Sequence, residues 1–118
     1  MRNPQVLLAA VSFILPAFAQ AAQMKLSDLR DICSARDGDS TNACRFYVLG
    51  VTEGVSVGAG VSNDHSHFCI PEGVSARDMV LAVKNQMTKD LAAFPQDKDM
   101  PAVSFVAAVM AETYPCQK

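Results

Sequence analysis

Cys33, Cys44, Cys69 and Cys116 constrain this chain more than any other feature in it. An even number of cysteines in a short exported chain reads as a disulfide framework, because an oxidising compartment lets such bridges persist. The export signal stands at the front. Arg2 supplies a positive start, and Val6 to Phe18 is apolar apart from Ser12 and Pro16. Ala17-Phe18-Ala19 and Ala19-Gln20-Ala21 then present the small residues that signal peptidase accepts. The apolar stretch falls short of the roughly 20 residues a membrane span needs, so a permanent anchor is the poorer reading. Residues 1–21 are expected to be a signal peptide, cut after Ala19 or Ala21. The remainder, 22–118, is expected to be one periplasmic domain with no membrane attachment after cleavage. Metal-bound thiols compete with disulfides as a reading, but no C-x-x-C pair occurs and the spacings do not suit zinc.

A chain of 118 residues is long enough for one domain. Without Arg2, nine basic residues remain against 12 acidic ones, a formal charge of −3. No run of Lys or Arg is present. A nucleic-acid surface needs such a patch to neutralise phosphates, so nucleic acid is excluded as a partner.

Leu26, Leu29, Ile32 and Cys33 recur at helical spacing and predict a first helix over about residues 24–35. The polar run Asp37 to Asn42 breaks it and offers N-caps for a second helix reaching about Gly58. Cys44, Val48, Val51 and Val55 mark that helix. Gly50, Gly54 and Gly58 lie four apart on one of its faces, at a cost on the order of 1 kcal/mol each relative to alanine. Such a row is expected to receive a closely packed backbone. Gly60 to Gly73 reads as a loop. Ser75 with Asp78 makes a capping-box-like start for a third helix, whose buried stripe is Val80, Val83, Met87 and Leu91. Phe94-Pro95 ends it, and 96–99 is a polar turn. Pro101 suits a first helical turn, and the almost wholly apolar Ala102 to Tyr114 reads as a central helix covered by its neighbours.

The expected fold is therefore all-α, a small compact four-helix bundle with two disulfides. If the helices alternate up and down, Cys33 and Cys44 meet at one end, and Cys69 and Cys116 at the other. Of the three pairings open to four cysteines, only Cys33–Cys44 with Cys69–Cys116 joins residues at the same end.

Several segments invite chemical readings. Gly54-Val55-Ser56-Val57-Gly58 matches the G-x-S-x-G nucleophile elbow, but it lies inside a helical pattern in a chain too short for an α/β-hydrolase sheet. Asp37-x-Asp39-x-Thr41 opens like a calcium loop and then fails, with Asn42 where glycine is needed and Val48 where the bidentate glutamate belongs. Capping is its better reading. Met79, Met87 and Met110 occupy helical core positions, and Glu53 and Glu112 are isolated acids. Asp64-His65-Ser66-His67 is the sharpest polar cluster and holds both histidines. It reads as a solvated loop, as a contact for a partner's cleft, or as a divalent metal site lacking a fourth ligand. No nucleophile, base and orienter stand together, so no enzyme, cofactor or resident metal is expected.

Taken in order, Leu29-x-x-x-Cys33 is followed by Cys44-Arg45-Phe46-Tyr47-Val48-x-Gly50-Val51. Cys69-Ile70-Pro71-x-Gly73-Val74-Ser75 comes next, then Pro101-Ala102, and the chain closes on Tyr114-Pro115-Cys116. Over essentially the whole mature chain this pattern resembles the Rap/Tai immunity family, small periplasmic proteins associated with type VI secretion amidase effectors. The C-I-P-x-G-V-[ST] segment and the closing aromatic-Pro-Cys are its most specific parts. The resemblance implies a helical, disulfide-bonded and often homodimeric protein that binds a peptidoglycan-cleaving amidase. It further implies a protruding loop that obstructs the amidase's catalytic cleft. Carried onto this chain, the cysteines, Gly50, Pro71 and Gly73 are scaffold positions. The partner-contact candidates are Asp64, His65, His67 and Phe68 before the Cys69 staple, and Asp97 and Asp99 in the second polar turn. Phe94 to Met100 carries no signature that fixes a partner. Two other readings compete: an accessory or chaperone-like periplasmic protein that binds many clients weakly, and a small metal-binding protein using His65 and His67.

Overall fold

The computed structural model describes residues 23–63 and 65–117; the expected signal peptide and Asp64 lie outside the described residues. Four α-helices follow one another: α1 (Leu26–Ser34), α2 (Gly38–Val61), α3 (Ala76–Ala93) and α4 (Ala102–Thr113). A 3-10 turn, Pro95–Asp99, links the last two. The chain is all-α, as the periodicity predicts.

Each helix start satisfies backbone N–H groups that would otherwise have no partner. At α2 the Asp37 carboxylate accepts from the Ser40 N–H at 2.8 Å, and the Thr41 hydroxyl donates to the Asp37 carbonyl at 2.9 Å. At α3 the box is reciprocal: the Ser75 hydroxyl accepts from the Asp78 N–H, and the Asp78 carboxylate accepts from the Ser75 N–H. The starts of α1 and α4 are satisfied together. The Leu26 N–H donates to the Met100 carbonyl and the Ala102 N–H to the Met24 carbonyl, both at 2.9 Å. This antiparallel bridge, Lys25 opposite Pro101, clamps two helix starts that are far apart in sequence.

The core gathers around α4. Its Ala102, Phe105, Val106, Val109 and Met110 are buried against Leu26 and Leu29 of α1, Val48 of α2, and Met79, Val83 and Met87 of α3. Five of the 12 residues of α4 are buried, a larger share than in any other helix, which makes it the central element. Its cover is incomplete, because Val103 remains exposed along one side. Leu26, Leu29, Val48, Val83, Val106 and Met110 are the largest fully buried side chains, and each contributes about 1.5–3 kcal/mol by leaving water.

The cysteine pairs are the expected ones, but α1 and α4 start side by side at Lys25 and Pro101, which a strictly alternating order of four helices would not allow. Cys33 and Cys44 are linked with their Cα atoms 5.0 Å apart, and Cys69 and Cys116 with theirs at 4.8 Å. Two boundaries differ from the sequence expectation. Helix α2 runs past Gly58 to Val61 and ends where Asn63 takes a left-handed conformation at φ 56°, which terminates a helix. The polar turn is helical because Pro95 opens it with a preset φ, and the Met100 N–H closes it onto the Asp97 carbonyl at 3.0 Å.

The two caps carry a pH dependence. Hydrogen bonds from Ser40 hold the Asp37 carboxyl below its usual value, and those from Ser75 do the same for Asp78. A depressed folded-state pKa stabilises above the unfolded value, about 4, and that contribution is lost as pH falls through the folded value. Melting curves between neutral pH and about pH 3 should therefore show an acid-side drop in Tm that is shallower in D37N/D78N. An identical acid slope in the double variant would remove the caps from the explanation.

Candidate partner-binding surfaces

The loop between α2 and α3 is tied down at its second half. Phe68 is 4% exposed and belongs to the core. Next to it, Cys69 is bridged to Cys116, and its N–H donates to the Tyr114 carbonyl at 2.8 Å. Gly73 at φ 91° and the Val74 N–H to Pro71 carbonyl bond shape the turn that delivers Ser75 to its capping position. Only glycine adopts such a φ without strain. Between the end of α2 and the Phe68 anchor, His65, Ser66 and His67 are exposed. The two histidines thus stand on a short arc held at its base. Phe68, expected among the presented residues, instead faces inward and is the anchor; its apolar ring does more under the loop than on it.

Asp97 and Asp99 sit in the 3-10 turn at the far end of α3. Asp99 accepts from the Lys25 ammonium at 3.1 Å, an exposed ion pair of the kind worth about 0–1 kcal/mol. Asp97 is half-buried. Helix α3 has 18 residues and separates the turn from the histidine arc by about 27 Å. The two candidate loops therefore do not form one site. Among the described residues, which do not include Asp64, no group of three or more His, Cys, Asp or Glu could hold an ion. Ser56, the serine of the G-x-S-x-G match, lies mid-helix and donates to the Thr52 carbonyl at 3.0 Å.

One surface escaped the sequence reading. Phe46, Tyr47, Gly50, Val51, Gly54 and Val55 of α2, with Val103 of α4, line an open apolar groove of about 490 Å³. A Cβ built at Gly50, Gly54 or Gly58 would meet nothing within 4 Å. The expected close backbone is absent from the glycine row. Phe46, Val57 and Val61 are 66%, 65% and 83% exposed along the same helix. Helical geometry explains the placement. The buried row is Cys44, Val48 and Thr52, and Gly50 stands two residues from Val48, about 200° round the axis. The glycines face away from the core. Tyr47 lies at the groove's edge, where partial burial raises its hydroxyl pKa.

With this geometry in hand, comparison with known proteins gives one result. Residues 25–116 match the family model of the Rap1a immunity proteins. No curated protein and no solved structure gives a match.

Two predictions come from these surfaces. Replacing Gly50, Gly54 or Gly58 by alanine displaces no neighbour, so each variant should be more stable than the parent by about 0.5–1 kcal/mol. Urea denaturation measures this, and a destabilised alanine variant would mean that the row is covered after all. The bridges should also differ in access, because Cys33 and Cys44 are 5% and 2% exposed whereas Cys69 is exposed. Mild reductant followed by thiol alkylation and mass spectrometry should label Cys69 and Cys116 first. Simultaneous labelling of all four would show that reduction proceeds through global unfolding.

Proposed function

Starting from the fact that this chain belongs to the Rap1a immunity protein family, which makes it an immunity protein against a secreted effector, we propose that it binds and inhibits a type VI secretion peptidoglycan amidase in the periplasm. It acts by occupying the amidase's active-site cleft, and it performs no catalysis of its own. The observation that carries this reading is the anchored arc before Cys69. Phe68 is buried and Cys69 is bridged, so His65 and His67 are presented from a base with little freedom left to lose. Ordering costs of about 0.5–1.5 kcal/mol per side chain weaken a mobile loop's affinity, and this arc avoids part of them. Imidazoles can donate to or accept from polar groups in a cleft. The apolar, appropriately short segment 1–21 supports export, and the two disulfides suit an oxidising compartment.

A second reading, an accessory or chaperone-like protein without a dedicated effector, is favoured by the open groove on α2. Exposed apolar surface of this kind is where weak clients, or a second copy of the chain in a homodimer, would settle.

The oxidised protein, used as bait in the source cell's envelope extract, separates the two. Capture of one amidase, stoichiometrically and with its murein-cleaving activity suppressed, is the expected outcome. H65A/H67A should then weaken the complex at least tenfold, about 1.4 kcal/mol, with an unchanged melting temperature. A mixture of weakly held clients would move the assignment to the accessory reading. An amidase inhibited equally by H65A/H67A would move the contact away from the arc.

A further inference from the structure

The chain has no basic run, yet folding brings three cations together. Arg45 of α2 faces Arg77 and Lys84 of α3 across a cleft of about 500 Å³, whose other lining residues include Thr41, Ser75, Val80 and Leu81. That volume lies within the range of ligand clefts. None of the three cations makes an ion pair among the described residues; the two ion pairs there are Lys25–Asp99 and Arg30–Asp31. Two carboxylates at the starts of the same helices are engaged in capping. Asp78 is held by Ser75 in the α3 capping box, and Asp37 by Ser40 at the start of α2. In a domain of net negative charge, the cleft is a local reversal of sign.

We propose that this cleft binds an acidic peptide segment carrying two carboxylates about 10 Å apart with an apolar side chain between them. The spacing comes from α3. Arg77 and Lys84 are seven residues apart on one face, which is about 10 Å along the axis. An extended peptide returns a side chain to the same face after four residues, about 13 Å along its backbone, and the long carboxylate and cation side chains close the remaining difference. A single inorganic anion is too small to meet both cations along that line, and the Asp78 carboxylate, which accepts from the Ser75 N–H, already places negative charge at the α3 start. Between the two cations lie Val80 and Leu81, the latter 44% exposed, a floor suited to one aliphatic side chain of the peptide. Arg45, one helical turn after Thr41, closes the opposite wall and can take a carboxylate with two parallel N–H donors. This site is separate from the histidine arc and does not depend on the immunity reading.

The test uses the oxidised chain labelled with ¹⁵N and the peptide acetyl-Glu-Ala-Leu-Ala-Glu-amide, whose two carboxylates and leucine share one face of the extended chain. Titration should shift the amides of Arg45, Arg77, Leu81 and Lys84 and leave those of His65 and Asp97 in place. R45Q/K84Q should lower the affinity at least tenfold while retaining the parent spectrum elsewhere, and added salt should weaken binding in the parent. Three outcomes overturn the proposal: no shift at these amides at millimolar peptide, equal binding of the control acetyl-Gln-Ala-Leu-Ala-Gln-amide, or the same shifts from inorganic phosphate at equal concentration.

Discussion

The burial of α4 against the other three helices is the interaction on which the rest of this structure depends. Phe105, Val106, Val109 and Met110 form the surface onto which Leu29, Val48, Val83 and Met87 pack. The clamp between Met24–Leu26 and Met100–Ala102 fixes where α4 begins relative to α1. The Cys69–Cys116 bridge and the Cys69 N–H to Tyr114 carbonyl bond fix where it ends. A helix held at both termini sets the position of everything that leans on it. The loop that carries His65 and His67 is one such dependent, since Phe68 reaches the same core.

The disulfides complement this core. In chain-entropy terms the 11-residue separation of Cys33–Cys44 contributes about 3 kcal/mol and the 47-residue separation of Cys69–Cys116 about 4, both by restricting the unfolded chain. Those magnitudes are comparable to the whole net stability of a small domain. They also fall on different parts of the molecule. The first bridge is buried where α1 meets α2; the second is at the surface and closes the base of the histidine arc. Loss of the second would release the arc while leaving the α1–α2 contact intact.

Much of this architecture is legible in the chain. Apolar rows at helical spacing mark the first three helices, a nearly unbroken apolar run marks α4, and Ser75-x-x-Asp78 marks a start that the hydrogen bonds reproduce; the expected cysteine pairs are the ones bridged, although α1 and α4 start side by side and not at opposite ends. What was misread has a common cause. The glycine row suggests a packing surface because glycines within a helix cost stability that a close contact would offset. Its angular offset from Cys44, Val48 and Thr52 already placed it on the outer face. Phe68 was grouped with its polar neighbours by proximity in sequence, although one large apolar residue beside a cysteine is a natural anchor. The cleft of Arg45, Arg77 and Lys84 was invisible for a different reason. Its cations are scattered over 40 positions, and only tertiary packing of α2 on α3 brings them together.

The outer face of α2 then acquires a physical meaning. Gly50, Gly54 and Gly58 weaken the helix, and among the described residues nothing lies within 4 Å of a Cβ built at any of them to offset the loss. Phe46, Val57 and Val61 leave apolar surface in water on the same helix. Neither feature helps this domain fold, and both are tolerated because stability is supplied elsewhere, by α4 and by the two bridges. That division of labour separates the surfaces of the molecule from its core. Substitutions at Phe46, Val57 and Val61, at His65 and His67, and at Arg45 and Arg77 fall on exposed side chains outside the core. Each surface can therefore be changed and its binding measured while the scaffold beneath it stays the same.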